Sequence, residues 1–274
     1  PPGRGGTHPP ADARAADLQA EGSEIYTDVD GVYTADPRVV RTARRIPRLS
    51  TEETLELASH GAKILHLRAV EFARRYDVPL HVRSSFSDLE GTWVVNRTEE
   101  EEMEEPIIAG VAHDRSQGKV TVVGVRDEPG AAARLFTAVA KADVNIDMIV
   151  QNISHETHKT DISFTVPEAD VAEAVLAIQE AKDQVAFDDI LYNANIGIVS
   201  LVGAGMRTNP GVSATLFDAL AVAGINIEMI STSEIRLSVV VESDRVDDAV
   251  RAIHTAFGLD SADTEAVVYG GTGR

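Results

Sequence analysis

VTVVGVRDEPGAAARLFTAVAKADVNIDMI, residues 120–149, returns as VSLVGAGMRTNPGVSATLFDALAVAGINIEMI, residues 199–230. Gly130 matches Gly211, Leu135 and Phe136 match Leu216 and Phe217, Asn145 and Ile146 match Asn226 and Ile227, and Met148 matches Met229. Each pair lies 81 positions apart. A register held over about thirty residues marks a duplicated supersecondary unit. In each copy an apolar β-branched run ends at a Pro-Gly turn, a helical pattern follows, and a second β-branched run begins at Asn-Ile. Proline fixes φ at the turn, and the glycine after it lacks the Cβ that would crowd a ligand or a neighbouring backbone. The helix that opens next offers free amides and partial positive charge, which suit a small carboxylate. A plain strand-to-helix turn is the more economical account of one such copy. Two copies in fixed register weigh against it.

Outward from this pair, the first copy reads as strands at Ile107 to Val111, Lys119 to Val125, Asn145 to Gln151 and Asp161 to Val166. Helices fall at Gly130 to Ala142 and Val171 to Ala181, and Ile190 to Tyr192 adds a last strand. The second copy reads as strands at Ile196 to Val202, Asn226 to Ser231, Ile235 to Val241 and Glu265 to Tyr269, with helices at Gly211 to Ala223 and Val246 to Ala256. Each is a βαββαβ sandwich of the ferredoxin-like kind, with helices on one face of an antiparallel sheet. The uncovered sheet face and edges call for pairing, within the chain or across a dimer.

The chain has 274 residues, enough for two or three domains. A formal net charge of −19 argues against nucleic acid or an anionic membrane as the main partner. With no cysteine there is no disulfide framework, thiolate metal site or cysteine nucleophile. No apolar run approaches the roughly 20 residues of a bilayer span, and PPGRGGTHPP lacks a signal-peptide layout. These features point to a cytoplasmic protein.

Before the repeats, Arg4, Gly5 and Gly6 form a glycine-rich turn able to approach an anion, or simply a flexible terminus. Ala11 to Ala20 reads as a short helix. EIYTDVDGVYTADPRVV, residues 24–40, places Thr27, Asp28, Tyr33, Asp36 and Arg38 just past a strand's C-terminal end. That grouping fits a nucleotide site in an open α/β sheet and fits a loop of Asx turns equally well. Ser50 to Arg75 has helical spacing broken at Gly61, with a Ser50/Glu53 capping box and Lys63 after the break; a solvated lysine is the cheaper account of Lys63. Pro79 to Arg83 reads as a closing strand. Six of the seven residues from Glu99 to Glu105 are glutamate, a self-repelling linker and the natural domain boundary; Met103 within it would suit an internal start.

With these blocks in view, the paired units resemble ACT domains, the small-molecule-sensing modules of amino-acid biosynthetic enzymes. IYTDVDGVYTADPR (25–38), VRSSFSD (82–88), GVAHDRS (110–116), VNIDMIVQNIS (144–154), VSLVGAGM (199–206), INIEMISTSEIR (225–236) and AVVYGGTGR (266–274) resemble bacterial aspartate kinase, from about Gly3 to Arg274. The resemblance implies a chain of α/β and α+β class. Residues 1–98 would be the C-terminal part of an amino-acid-kinase domain, 99–106 an acidic linker, 107–190 a first ACT domain and 191–274 a second. It implies ATP-dependent phosphorylation of aspartate's β-carboxylate, with Mg²⁺, where catalysis is mostly positioning and charge neutralisation. By the same resemblance Thr27, Asp28, Tyr33, Asp36 and Arg38 border ATP, Lys63 helps hold its phosphates, and Arg4, Gly5 and Gly6 form the aspartate-side turn. Threonine would sit against Asp127, Pro129, Gly130, Ala132 and Gln151, closed by Asn226 and Ile227. Lysine would sit at Met206, Asn209, Pro210, Gly211 and Val212, facing Asn145 to Asp147. The ACT units would join the chain in a homodimer or a hetero-oligomer.

The family's KFGG-type phosphate-binding strand and lysine have no counterpart in this sequence. The family's GRGGSDTTA stands here as GRGGTHPPA, so His8, Pro9 and Pro10 replace an aspartate and two threonines. Asn209 stands where the family usually carries histidine. A poorly active kinase chain is therefore expected, or alternatively a non-catalytic regulatory subunit that binds threonine or lysine. A decayed or misread coding sequence would also account for the altered GRGG turn.

Overall fold

The computed structural model describes residues 22–62, 64–96, 107–154 and 158–260. The Arg4-Gly5-Gly6 turn, the helix expected over 11–20, Lys63, the acidic linker with Met103 and the strand expected at 265–269 lie outside the described residues.

The first part is a four-stranded sheet of β1 (Ser23–Thr27), β2 (Arg48–Ser50), β3 (Leu80–Ser84) and β4 (Thr92–Val95), in the order β1-β3-β4-β2. β1 and β3 run parallel, β4 is antiparallel to β3, and β2 is parallel to β4. Helices α1 (Thr51–Ser59) and α2 (Leu67–Tyr76) cover it, split at the Gly61 break. The capping box is formed: the Glu53 amide donates to Ser50 Oγ at 3.1 Å and the Ser50 amide to Glu53 Oε2 at 3.1 Å. β2 and β4 were not legible as strands. β2 has three residues and β4 four, too few to show alternation; in β4 Trp93 stacks on His81 with centroids 3.9 Å apart.

The first repeat holds β6 (Gln117–Arg126), α3 (Ala131–Lys141), β7 (Ile149–Ser154), β8 (Lys159–Pro167), α4 (Val171–Glu180), the short α5 (Lys182–Val185) and β9 (Asp189–Asn193). Its strands follow the order β7-β8-β6-β9, all antiparallel, and the helices pack on Val120, Val122, Ile162, Phe164 and Val166. The second repeat holds β10 (Ile196–Val202), α6 (Gly211–Val222), β11 (Met229–Thr232), β12 (Arg236–Glu242) and α7 (Val246–Ala256). Its sheet has the same plan, β11-β12-β10-β5.

The fourth strand is a correction. β5 (Gly110–Asp114), expected in the first repeat, pairs antiparallel with β10 from Ile198↔Asp114 to Val202↔Gly110 and sends Val111 into the second core. A boundary at 107 thus cuts β5 from its own sheet, and the first repeat lies inserted between β5 and β10. The adjacency of sequence neighbours, which holds for most elements, misled here. The second strand of each repeat also begins late, at Ile149 and Met229 rather than at Asn145 and Asn226. Isolated bonds lead in, from the Asp147 amide to Thr165 O (3.1 Å), from the Thr165 amide to Met148 O (3.0 Å) and from the Glu228 amide to Val240 O (2.8 Å).

The parts share cores. Met148 of the first repeat meets Ile196, Ile198, Met229 and Val240 on the open face of the second sheet, beside the ion pair of Lys119 with Glu228 at 3.0 Å. At the far end of that face, Ala112 and Val202 join the core of the first part, and the Ala204 amide donates to Glu53 Oε1 at 3.1 Å. In return Ala35, Val40 and Ala43 of the first part are buried in the second repeat's core. Each fully buried aliphatic side chain the size of valine stabilises by about 1.5–3 kcal/mol.

Candidate functional site

β1 ends at Thr27, and the chain then turns through Asp28, Asp30 and Gly31 into the loop that carries Tyr33, Asp36 and Arg38. Buried Asp30 is held by the Ser87 hydroxyl, which fixes the loop's base. Asp36 Oδ1 accepts the Arg38 amide at 2.9 Å, and Asp36 O accepts the amides of Val39 and Val40 at 2.9 Å each. Asp36 is therefore an Asx cap, as the plain loop reading required. The same loop nevertheless builds a cavity of about 160 Å³ lined by Thr27, Asp28, Tyr33, Asp36 and Arg38, the five residues grouped from the sequence. Ala62 and Ile64, the neighbours of Lys63, line it too. Its far wall, Val111, Ala112 and His113, belongs to β5 and thus to the second repeat's sheet.

An apolar floor with hydroxyl and carboxylate at the rim suits a flat heterocycle and its sugar. Complete small-molecule sites run to roughly 300–1,000 Å³, so this cavity would hold that portion of a nucleotide, not the whole. Among the described residues no group of three or more His, Asp or Glu could hold a metal ion. Mg²⁺ arriving with nucleotide phosphates needs only one or two carboxylates, and the rim carboxylates Asp28 and Asp36 fit that need.

The two Pro-Gly turns differ in geometry, although their sequences align. In the first, Gly130 is the N-cap of α3 with φ +90°, a conformation that favours glycine. In the second, Pro210 caps α6, Gly211 is its first helical residue, and a 3₁₀ turn at Ala204–Thr208 precedes them. Met206, Asn209, Pro210 and Val212 line a cavity of about 600 Å³ together with Thr232 and Arg236. Gly211 lines a separate cavity of about 400 Å³ beside Arg44 and Ile108. Asn209 Nδ2 donates to Gly205 O at 2.9 Å, tying that side chain to its own turn. The first turn lies open: Asp127, Pro129, Gly130, Gln151 and Asn226 are exposed, Ala132 is half-buried, and half-buried Ile227 packs on the second core.

Beside the second turn stands a charged cluster that the sequence reading passed over. Arg236 Nε lies 3.2 Å from Glu56 Oε2, its Nη1 meets His60 Nε2, and His60 Nε2 is 3.9 Å from Asp147 Oδ2. It joins α1, β12 and the approach to β7. Burial, then the Arg236 charge, lowers the His60 pKa below its ordinary value and keeps the ring neutral. Burial likewise lowers His113 in the cavity wall and His254 on α7. Glu56 and His60 lie one helical turn apart, but Arg236 is distant in sequence, so the cluster left no local signal.

Comparison with known proteins matches residues 120–181 and 199–257 to the ACT domain model and residues 2–84 to the amino acid kinase family. Aspartokinase of Mycolicibacterium smegmatis is 58% identical over 273 residues, covering 99% of this chain and 65% of that protein. The chain thus spans 65% of the length of that relative. Among solved structures, Escherichia coli aspartokinase III in complex with aspartate and ADP aligns with TM-score 0.79 and 28% identity, over 93% of this chain and 56% of that one. The same enzyme in complex with lysine and aspartate gives 0.72 and 27%, over 93% and 56%. The regulatory subunit of aspartate kinase from Thermus thermophilus aligns with TM-score 0.52 and 35% identity, over 55% of this chain and 99% of that one. Among the described residues no helix is long and apolar enough to cross a membrane.

Proposed function

The chain belongs to the aspartokinase family, and from that premise we propose that it serves ATP-dependent transfer of phosphate to the β-carboxylate of aspartate, under feedback control by threonine and lysine. One observation carries the kinase side: Thr27, Asp28, Tyr33, Asp36 and Arg38 line a single cavity at the C-terminal end of β1. ATP would supply the phosphoryl group, and Mg²⁺ bound with it would neutralise the phosphate charge. The Asp36-capped loop and its apolar floor seat the base and ribose, while Lys63 and the Arg4-Gly5-Gly6 turn are proposed for the phosphates and the aspartate. His8, Pro9 and Pro10 remove one carboxylate and two hydroxyls from that turn relative to the family pattern, so turnover by this chain is expected to be poor. An equilibrium titration with a fluorescent ADP analogue tests the cavity, and an aspartyl hydroxamate assay tests turnover. The account expects nucleotide binding with little or no hydroxamate. Robust turnover would overturn the second half, and no binding would overturn the first.

A second reading, a regulatory subunit acting beside a catalytic chain, is favoured by the coverage of 99% of the Thermus thermophilus regulatory subunit. Both readings share one proposed chemistry at the repeated turns. Helix-opening amides take an amino acid's carboxylate, and Asp127 or Asp147 takes its ammonium. A ligand clamped there biases how the repeats sit against α1, which Arg236, Glu56 and His60 tie to the second sheet.

A further inference from the structure

His254 on α7 has no solvent exposure (0%) and lines none of the three cavities described above. Its Nε2 lies 2.8 Å from Thr34 Oγ1 and its Nδ1 3.2 Å from Asp260 Oδ1. Thr34 Oγ1 already accepts the Arg44 amide at 2.9 Å, which leaves the hydroxyl proton for Nε2. The ring then carries its own proton on Nδ1 and donates it to Asp260, a neutral tautomer that agrees with the lowering of its pKa by burial. Asp260 Oδ1 also accepts the Thr42 hydroxyl at 2.6 Å.

The same turn grips the neighbouring backbone. Arg44 donates from Nε to Leu259 O (2.9 Å) and from Nη2 to Gly258 O (3.0 Å), and Ala43 bridges Asp260. Both ends of the Thr34–Arg44 loop are thus fastened to the end of α7. The middle of that loop, Asp36 to Arg38, lines the cavity proposed for the nucleotide. A buried imidazole is tolerated only when both nitrogens are partnered. Here one partner is Thr34, which opens the loop, and the other is Asp260, which holds Thr42 and Ala43 near its close.

We infer that His254 is a positioning residue for nucleotide binding: reaching across from the second regulatory repeat, it holds the Thr34–Arg44 loop in its cavity-lining shape. The choice of ligand rests on the proposed kinase reading; the holding of the loop does not. The second repeat then contributes to the nucleotide site twice, through the β5 wall and through this latch.

The test uses the full chain and four variants, Thr34→Val, Thr34→Ser, His254→Leu and the Thr34→Val/His254→Leu pair. Two quantities are read: amide hydrogen exchange at Val39, Val40, Ala43 and Arg44, and affinity for a fluorescent ADP analogue. Losing one buried neutral hydrogen bond corresponds to about three- to tenfold in affinity. Thr34→Val and His254→Leu should both weaken binding by that factor and speed exchange in the loop, while exchange in β6 and β8 stays as in the parent. Thr34→Ser should restore both readouts, and the double variant should lose less than the sum of the two singles, because the Thr34–His254 bond is lost in all three. Unchanged loop exchange in Thr34→Val, or parent-like nucleotide affinity in both single variants, overturns the inference. If the parent binds no nucleotide yet loop exchange responds as expected, the kinase reading of the cavity fails and the latch stands.

Discussion

Gly61→Ala probes the seam between the first part and the second repeat with a single methyl group. Gly61 follows α1 with φ +111°, a region that L-residues rarely occupy. A Cβ built there would lie 1.8 Å from His113 O and 2.6 Å from His113 C, both main-chain atoms of β5. Real Cβ contacts essentially never fall under 3.0 Å, so the backbone of β5, paired to β10, has to retreat. The forced conformation costs about 1–3 kcal/mol, and overpacking against a sheet strand adds about 1–3 kcal/mol. The sum, about 2–6 kcal/mol, is a large part of a typical stability of about 5–15 kcal/mol. In urea the unfolding midpoint, followed by near-ultraviolet circular dichroism, should drop by about 1 M or more at unchanged slope. Because His113 walls the cavity, nucleotide affinity should fall as well. Gly211→Ala is the control: no atom lies within 4 Å of its built Cβ, and the position is helical, so the change is neutral or stabilising by under about 1 kcal/mol. A Gly61→Ala midpoint equal to the parent's would refute the claim that this seam is closed backbone to backbone.

Two other perturbations follow from the same geometry. Arg236→Ala strips Glu56 and His60 of their shared partner at a side chain only 13% exposed; it should lower stability by about 1–3 kcal/mol and abolish any thermal shift caused by lysine, whereas a retained lysine shift would remove Arg236 from that cavity's function. Acidification should destabilise the protein. His60, His113 and His254 all have folded pKa values lowered mainly by burial. The unfolded chain therefore binds more protons below the ordinary histidine value of about 6.5, so their contribution is complete above that pH and is lost as pH falls beneath it. Urea midpoints compared at neutral and mildly acidic pH measure this, and a midpoint that rises on acidification would contradict it.

What the sequence disclosed follows the range of its signals. The apolar β-branched run at Ile196 to Val202, buried along its whole length, and the helical stripe at Val246 to Ala256, with one buried face, matched the observed elements residue for residue. Ser50 and Glu53 announced their helix start through a purely local motif. β5 could not be placed in this way: five residues carry no record of which β-strand they will pair with, and its partner β10 lies beyond an entire inserted repeat. Thr27 to Arg38 stood out as a cluster because those residues are close in sequence. Arg236, His60 and Glu56 were passed over because only the fold assembles them, and His254 sat unnoticed on what looked like a purely structural helix face. The divergence of Gly130 from Gly211 was equally hidden, since both follow proline and only the 3₁₀ turn before Pro210 changes the backbone that leads in.

The central claim is that the duplicated turns bind amino-acid effectors, and thermal unfolding of this chain with L-threonine and with L-lysine tests it most directly. A ligand held by the folded state alone stabilises it by about 2.7 kcal/mol at one hundred times its dissociation constant. At least one of the two should therefore raise the midpoint by several degrees, an effect of that size, and the D-enantiomers should not. Midpoints unmoved by either amino acid at saturating concentration would contradict the account.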